Sequence, residues 1–155
     1  MPFDPAAFLA ETTIEAPLDT KLPLIPINEY PAIIDKIDVR AQPKKDGDGD
    51  WYILDVTYAV EDASAREATG LEKPTIRDSL FLDMDLSGER PKLMTGTGKN
   101  VQLGRLLEAL GINAEGFTFG MLPGRTCLIR VKHVPDAEDP ANKGPWARVA
   151  SVAQL

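Results

Sequence analysis

"KKDGDGDWYILDVTYAV", residues 44–60, decides between two kinds of protein. Asp46, Asp48 and Asp50 stand at alternate positions, as oxygen ligands do at the start of a calcium loop. An EF-hand loop begun at Asp46 requires Gly at its sixth position and Glu at its twelfth. Trp51 and Thr57 occupy those positions, and no helical periodicity follows. Gly47 and Gly49 between aspartates suit a tight polar turn, because both residue types accept left-handed backbone angles. The residues behind the turn alternate. Tyr52, Leu54, Val56, Tyr58 and Val60 fall on one face, and Trp51, Ile53, Asp55 and Thr57 on the other, the period of a half-buried strand. The stretch predicts a hairpin tip that delivers a strand, so the chain is built around a sheet.

Working outward, "EYPAIIDKIDVRA" (29–41) is rich in Ile and Val and supplies the strand before the turn. "EDASAREATGLEKP" (61–74) is a long loop or a short helix. "TIRDSLFLDMD" (75–85) sets Ile76, Leu80, Leu82 and Met84 against Arg77, Ser79 and Phe81, a third strand. After the loose "LSGERPKLMTGTGK", "NVQLGRLLEALG" (100–111) has apolar residues at 101, 103, 106, 107 and 110, with Gly111 as C-terminal cap, and predicts a helix. "INAEGFTFGMLPG" is a compact loop. "RTCLIRVKHV" (125–134) alternates Cys127, Ile129 and Val131 against Leu128, Arg130 and Lys132. A polar loop then leads to a last strand, "WARVASVAQL" (146–155). A helix between the third and fourth of five strands is the layout of the OB-fold, a small, partly open barrel. A β-sandwich needs about seven strands, and a parallel α/β sheet needs a helix after nearly every strand. The expectation is an all-β protein with small α content: an OB-fold domain over 29–155 and a Pro-rich arm over 1–28.

The arm carries Pro at 2, 5, 17, 23 and 26, which excludes a long helix or a central strand. "DPAAFLAET" permits one or two helical turns, with Asp4 capping and Pro5 first. Phe3, Phe8 and Leu9 are there to pack on the domain or on another copy. A length of 155 residues fits one domain plus an extension, and 43% hydrophobic residues suffice for a core. The single cysteine, Cys127, precludes an internal disulfide and suits a reducing compartment. No apolar run is long enough to cross a bilayer, and the N-terminus has no secretion signal. The expected location is the cytoplasm of a bacterial cell.

Catalytic chemistry finds little to use. His133 is the only histidine, so neither a zinc site nor a Ser-His-Asp triad assembles readily. Cys127 lies six residues from His133 on one strand, about 20 Å away when extended, and reads as a small core hydrophobe. "LMTGTGKN" (93–100) lacks the phosphate-loop pattern, with Leu93 in place of its first Gly and Asn100 in place of its hydroxyl. Asp83 with Asp85, and Glu61 with Asp62, read as solvated acids at strand ends. The expectation is a non-enzyme without metal or cofactor.

Binding is better served. An OB sheet binds through the face of strands 2 and 3 and the loops joining strands 1–2 and 4–5, and single-strand binders combine a basic groove with aromatic stacking. The outward candidates are Trp51, Phe81 and Arg77 on the sheet, and Lys44 and Lys45 in the first loop. Lys143 and Trp146 end the second loop, and Arg130, Lys132 and Arg148 form a stripe on the last two strands. Tyr52 and Tyr58 go to the core with Leu54 and Val56. Trp51 is either exposed or covers a barrel end. Net charge is −7, but residues 99–155 hold seven Lys and Arg against five acids, while residues 1–98 hold ten against nineteen.

Three stretches resemble the OB-fold single-stranded DNA-binding proteins of tailed bacteriophages and prophages. They are "LPLIPINEYPAIIDKIDVRAQPKKDG" (22–47), "LGRLLEALGI" (103–112) and "LPGRTCLIRVKHVPDAEDPANKGPWARVASV" (122–152). The resemblance implies single-stranded DNA binding with little sequence preference in phage replication or recombination, with proteins of those processes as partners. Two features depart from it: the chain ends in "VASVAQL" rather than an acidic tail, and the region before the helix is acidic. That acidity motivates an alternative, a protein-interaction module on the same barrel that mimics DNA or inhibits a host DNA-binding protein.

Overall fold

A computed structural model describes residues 2–18, 23–134 and 145–155. Its elements are α1 (Pro5–Glu11), β1 (Glu29–Pro43), β2 (Asp50–Val60), α2 (Ala63–Thr69), β3 (Thr75–Leu82), β4 (Met84–Asp85), β5 (Lys92–Leu93), α3 (Val101–Leu110), β6 (Thr126–Val134) and β7 (Trp146–Ala153). Five strands form one antiparallel sheet in the order β3-β2-β1-β6-β7. The helix α3 does lie between the third and fourth of them. The two-residue pair β4–β5, which the sequence showed only as a loose connection, stands apart as its own small sheet. The expected closure into a barrel is not made: β3 and β7 come close but share no ladder, so both remain sheet edges.

The tip of the β1–β2 hairpin is the DGDGD turn. The Lys44 amide donates to the Gly49 carbonyl (3.0 Å) and the Gly47 amide to the Lys44 carbonyl (3.0 Å). Asp46 is spent inside the turn, accepting from the Asp48 amide at 2.9 Å. Gly47 and Gly49 take φ of 74° and 90°, where a Cβ would be strained.

The core lies on one side of the curled sheet. Tyr30, Ala32 and Ile34 of β1, Leu54, Val56 and Tyr58 of β2, Ile76, Leu80 and Leu82 of β3, and Cys127, Ile129 and Val131 of β6 are all buried there. The helix α3 adds Leu103, Leu106 and Leu107, its apolar stripe. Tyr58 is buried as expected and Tyr52 is half-buried. Cys127 is fully buried, and burial pushes its thiol up to about 11. The inner end of the arm belongs to this core: Ile25 is buried, its carbonyl lies 2.7 Å from His133 Nε2, and the Tyr30 hydroxyl donates to the Pro26 carbonyl at 2.7 Å.

The start of α3 is fixed by one residue. Asn100 sits at φ 49°, the only described non-glycine residue in the left-handed region. Its side-chain amide donates to the carbonyls of Asp83 and Met94 (2.9 Å each), its Oδ1 accepts from the Asp83 amide (2.8 Å), and its own amide donates to the Asp83 carboxylate (2.9 Å). Asn100→Ala should therefore cost about 2 kcal/mol, because the Asp83 amide and the Met94 carbonyl lose their side-chain partner and the backbone strain stays, while the Asp83 carbonyl keeps the Met94 amide. Urea denaturation measures it, and a loss below about 0.5 kcal/mol would contradict this role.

Candidate nucleic-acid interface

The outward face of β1, β2 and β3 is set by register. Gln42 pairs with Trp51, Arg40 with Ile53 and Ile53 with Phe81, Asp38 with Asp55 and Asp55 with Ser79, Lys36 with Thr57 and Thr57 with Arg77. Trp51 is thus diagonal to Phe81, within reach across neighbouring strands. Their rings meet edge to face, with centroids 5.6 Å apart and planes at 74°. Trp51 remains 45% exposed and Phe81 55%. Lys44 Nζ sits 4.6 Å from the Trp51 centroid, a cation–π contact that ties the turn to the sheet. Lys45 is exposed in the turn beside it. Ile53, also outward in register, is nevertheless buried, with Arg40 and Phe81 as its cross-strand neighbours.

Beside the aromatic pair lies a polar cluster. Asp55, the only described buried charged residue, accepts from Arg40 Nε at 2.7 Å and from the Ser79 hydroxyl at 2.5 Å. Burial works against its charge, but these two hydrogen bonds and the nearby Arg40 and Arg77 charges hold its pKa below the ordinary carboxylate value. Arg40 also donates to Gln42 at 3.2 Å. It is therefore committed within the protein.

The structure distributes the other expected site residues over two places. Arg77 stands two residues from Ser79 and four from Phe81 on the outward side of β3, so the line Phe81–Ser79–Arg77 runs about 13 Å along the strand. Beyond it, a groove of about 540 Å³ separates β3 from β7, and Arg77, Asp78, Trp146 and Arg148 all line it. Lys132 pairs with Arg148 in register. Arg130 is exposed but ion-paired with Glu29 at 3.2 Å, so the expected stripe is free of ion pairs, among the described residues, only at Lys132 and Arg148. Lys143 lies outside the described residues.

Sequence reasoning missed Lys36 and Arg40 on β1 and Asp78 on β3. A β-bulge between Ile34 and Lys36 reverses which residues of β1 point outward, so simple alternation could not find the first two. Asp78 was legible: it occupies a core-side position between Ile76 and Leu80, an acid in an apolar series.

Among the described residues, no three His, Cys, Asp or Glu side chains converge as metal ligands, and no helix is long and apolar enough to cross a membrane. No family model matches the chain, and no curated protein or solved structure matches it either.

The sign of the Asp55 effect is fixed by its lowered pKa. Its contribution to stability should be complete above the ordinary value of 3.8 and fade as pH falls through the lower folded value. The stability difference between wild type and Asp55→Asn, from urea melts, should thus be smaller at pH 3 than at pH 6. A constant difference would contradict it.

Proposed function

We propose that the protein is a non-enzymatic binder of single-stranded DNA with little sequence preference, related to the OB-fold proteins that phages use in replication or recombination. The observation that carries the proposal is the exposed Trp51–Phe81 pair, with Lys44 against Trp51, on the outward face of β2 and β3. Every base has a π-face, so rings in this position accept any sequence. The strand order β3-β2-β1-β6-β7, with α3 between β3 and β6, supports the OB assignment. Lys44, Lys45, Lys36, Arg77, Lys132 and Arg148 neutralise the phosphates; Arg40 and Arg130 contribute less because Asp55 and Glu29 hold them.

Fluorescence anisotropy with labelled oligo-dT, beside a duplex of equal length, tests this. Single strands should bind in preference to duplex, and affinity should fall with salt at a slope near −0.7 per phosphate contacted. Trp51→Ala and Phe81→Ala should each weaken binding about tenfold, within the ~1–3 kcal/mol of one stacked base. Absence of binding at low salt overturns the proposal.

A second role, protein contact, is favoured by the arm. In α1, Asp4 caps through the amides of Ala6 and Ala7, and Phe3 packs on Phe8 at 5.5 Å, a hydrophobic staple. None of its residues is buried, and Phe3, Phe8, Leu9, Ile14 and Leu18 all stand exposed. Isolated helices this short are marginal in water, so the arm gains order by covering this surface with another molecule, a second copy in the first instance. Sedimentation should reveal concentration-dependent association that Phe8→Asp with Leu9→Asp abolishes. A monomer at every concentration would remove self-association.

A further inference from the structure

We propose that the groove between β3 and β7 is a guanine-selective subsite, in which the Asp78 carboxylate reads the base edge. The proposal rests on the single-stranded DNA reading above and refines it. Four observations support it. First, the groove adjoins the aromatic platform, since its β3 wall continues the line Phe81–Ser79–Arg77. A strand laid on Trp51 and Phe81 reaches the groove by following β3.

Second, the lining suits a nucleotide. Arg77 and Arg148 supply guanidinium groups for phosphate or for the face of a base, and Trp146 supplies an indole. Third, no ladder joins β3 to β7, so the groove lies between two open strand edges, with Pro23, Leu24 and Ile25 of the arm and Leu71 also lining it. A base entering there displaces no ladder.

Fourth, the groove holds an acid that forms no ion pair among the described residues. Asp78 is half-buried on the core side of β3, opposite Val56, and lines both this groove and the neighbouring one between β3, β7 and α3. No Lys or Arg lies within 4.0 Å of it among the described residues. Desolvation raises its pKa, against which a hydrogen bond from the Ser79 backbone amide and the longer-range charges of Lys132 and Arg148 act. A carboxylate is costly in a DNA-binding groove unless it meets donors.

Base chemistry selects the donor. A carboxylate has two parallel acceptors and no donor. Guanine presents N1–H and N2–H side by side on its Watson–Crick edge and satisfies both. Thymine offers one N–H between two carbonyls, which repel the carboxylate. Adenine and cytosine each place one amino group beside a ring-nitrogen acceptor. Single-stranded bases expose these edges.

The test compares anisotropy titrations of dT15 with the same oligonucleotide carrying one central dG, or one central dI, which lacks the N2 amine. With the full-length protein, the dG oligonucleotide should bind about five- to tenfold more tightly than dT15, and the dI oligonucleotide should fall between. Asp78→Asn should bring the dG-to-dT ratio close to one. Equal affinity for dG and dT oligonucleotides overturns the subsite while leaving general binding intact. A preference that survives Asp78→Asn, or that dI retains in full, overturns the assignment of the carboxylate. If no oligonucleotide binds at low salt, the binding proposal fails, and the subsite with it. The dI arm needs no variant, so the subsite remains falsifiable if Asp78→Asn does not fold.

Discussion

Everything in this sheet depends on how β1 bends. The strand is 15 residues long and serves two partners: its first residues pair with β6, and nearly its whole length pairs with β2. Pairing with β6 ends at Ile33, just before the bulge between Ile34 and Lys36, and beyond it only the ladder with β2 continues. The backbone groups of Ile34 are satisfied across the bend, its amide by the Arg125 carbonyl and its carbonyl by the Gly124 amide, both at 2.8 Å. Asp35, the extra residue, pairs with Lys73 at 2.7 Å. A bulge increases local twist, and that added twist curls the sheet until β3 and β7 approach. Without it, the core side of β2 would have no opposing layer from β6.

The curl also explains the composition of the outward surface. A face wrapped around a small core is convex and open to water, so large side chains there must be shielded or useful. Ile53 is shielded, and Asp55 is buried only because Arg40 and Ser79 satisfy it. Each such ion pair neutralises a surface cation, as Glu29 does Arg130. On a chain of net charge −7, the proposed affinity for a polyanion would come more from ring stacking than from counterion release. Trp51 and Phe81 are where that weight falls.

How much of this was legible follows from the same geometry. Alternation was readable in β2, β3 and β6, because each keeps one parity from end to end. The hairpin turn, the caps of α1 and α3 and the burial of Cys127 were readable from local chemistry. The strand β1 was not readable, since the bulge reverses parity at Asp35 and hides Lys36 and Arg40 among residues that simple alternation turns inward. The burial of Ile53 depends on what its cross-strand neighbours are, and no property of β2 alone reveals that. Closure of the sheet was beyond sequence for a related reason: whether two edges join depends on the summed twist of all five strands.

The residues at the open seam between β3 and β7 work against its closing. Since each neighbouring pair in the sheet is antiparallel, β3 and β7 run in the same direction. Closing them would require a parallel ladder across Asp78, with Arg77 and Arg148 beside it. Such a ladder would draw the partly desolvated Asp78 carboxylate further from water, a cost that works against the few backbone hydrogen bonds gained. Inward-pointing charge is one way that sheets keep edges from pairing. Asp78, a cost to closing the seam, is the same group that the proposed subsite uses to meet a ligand's donors.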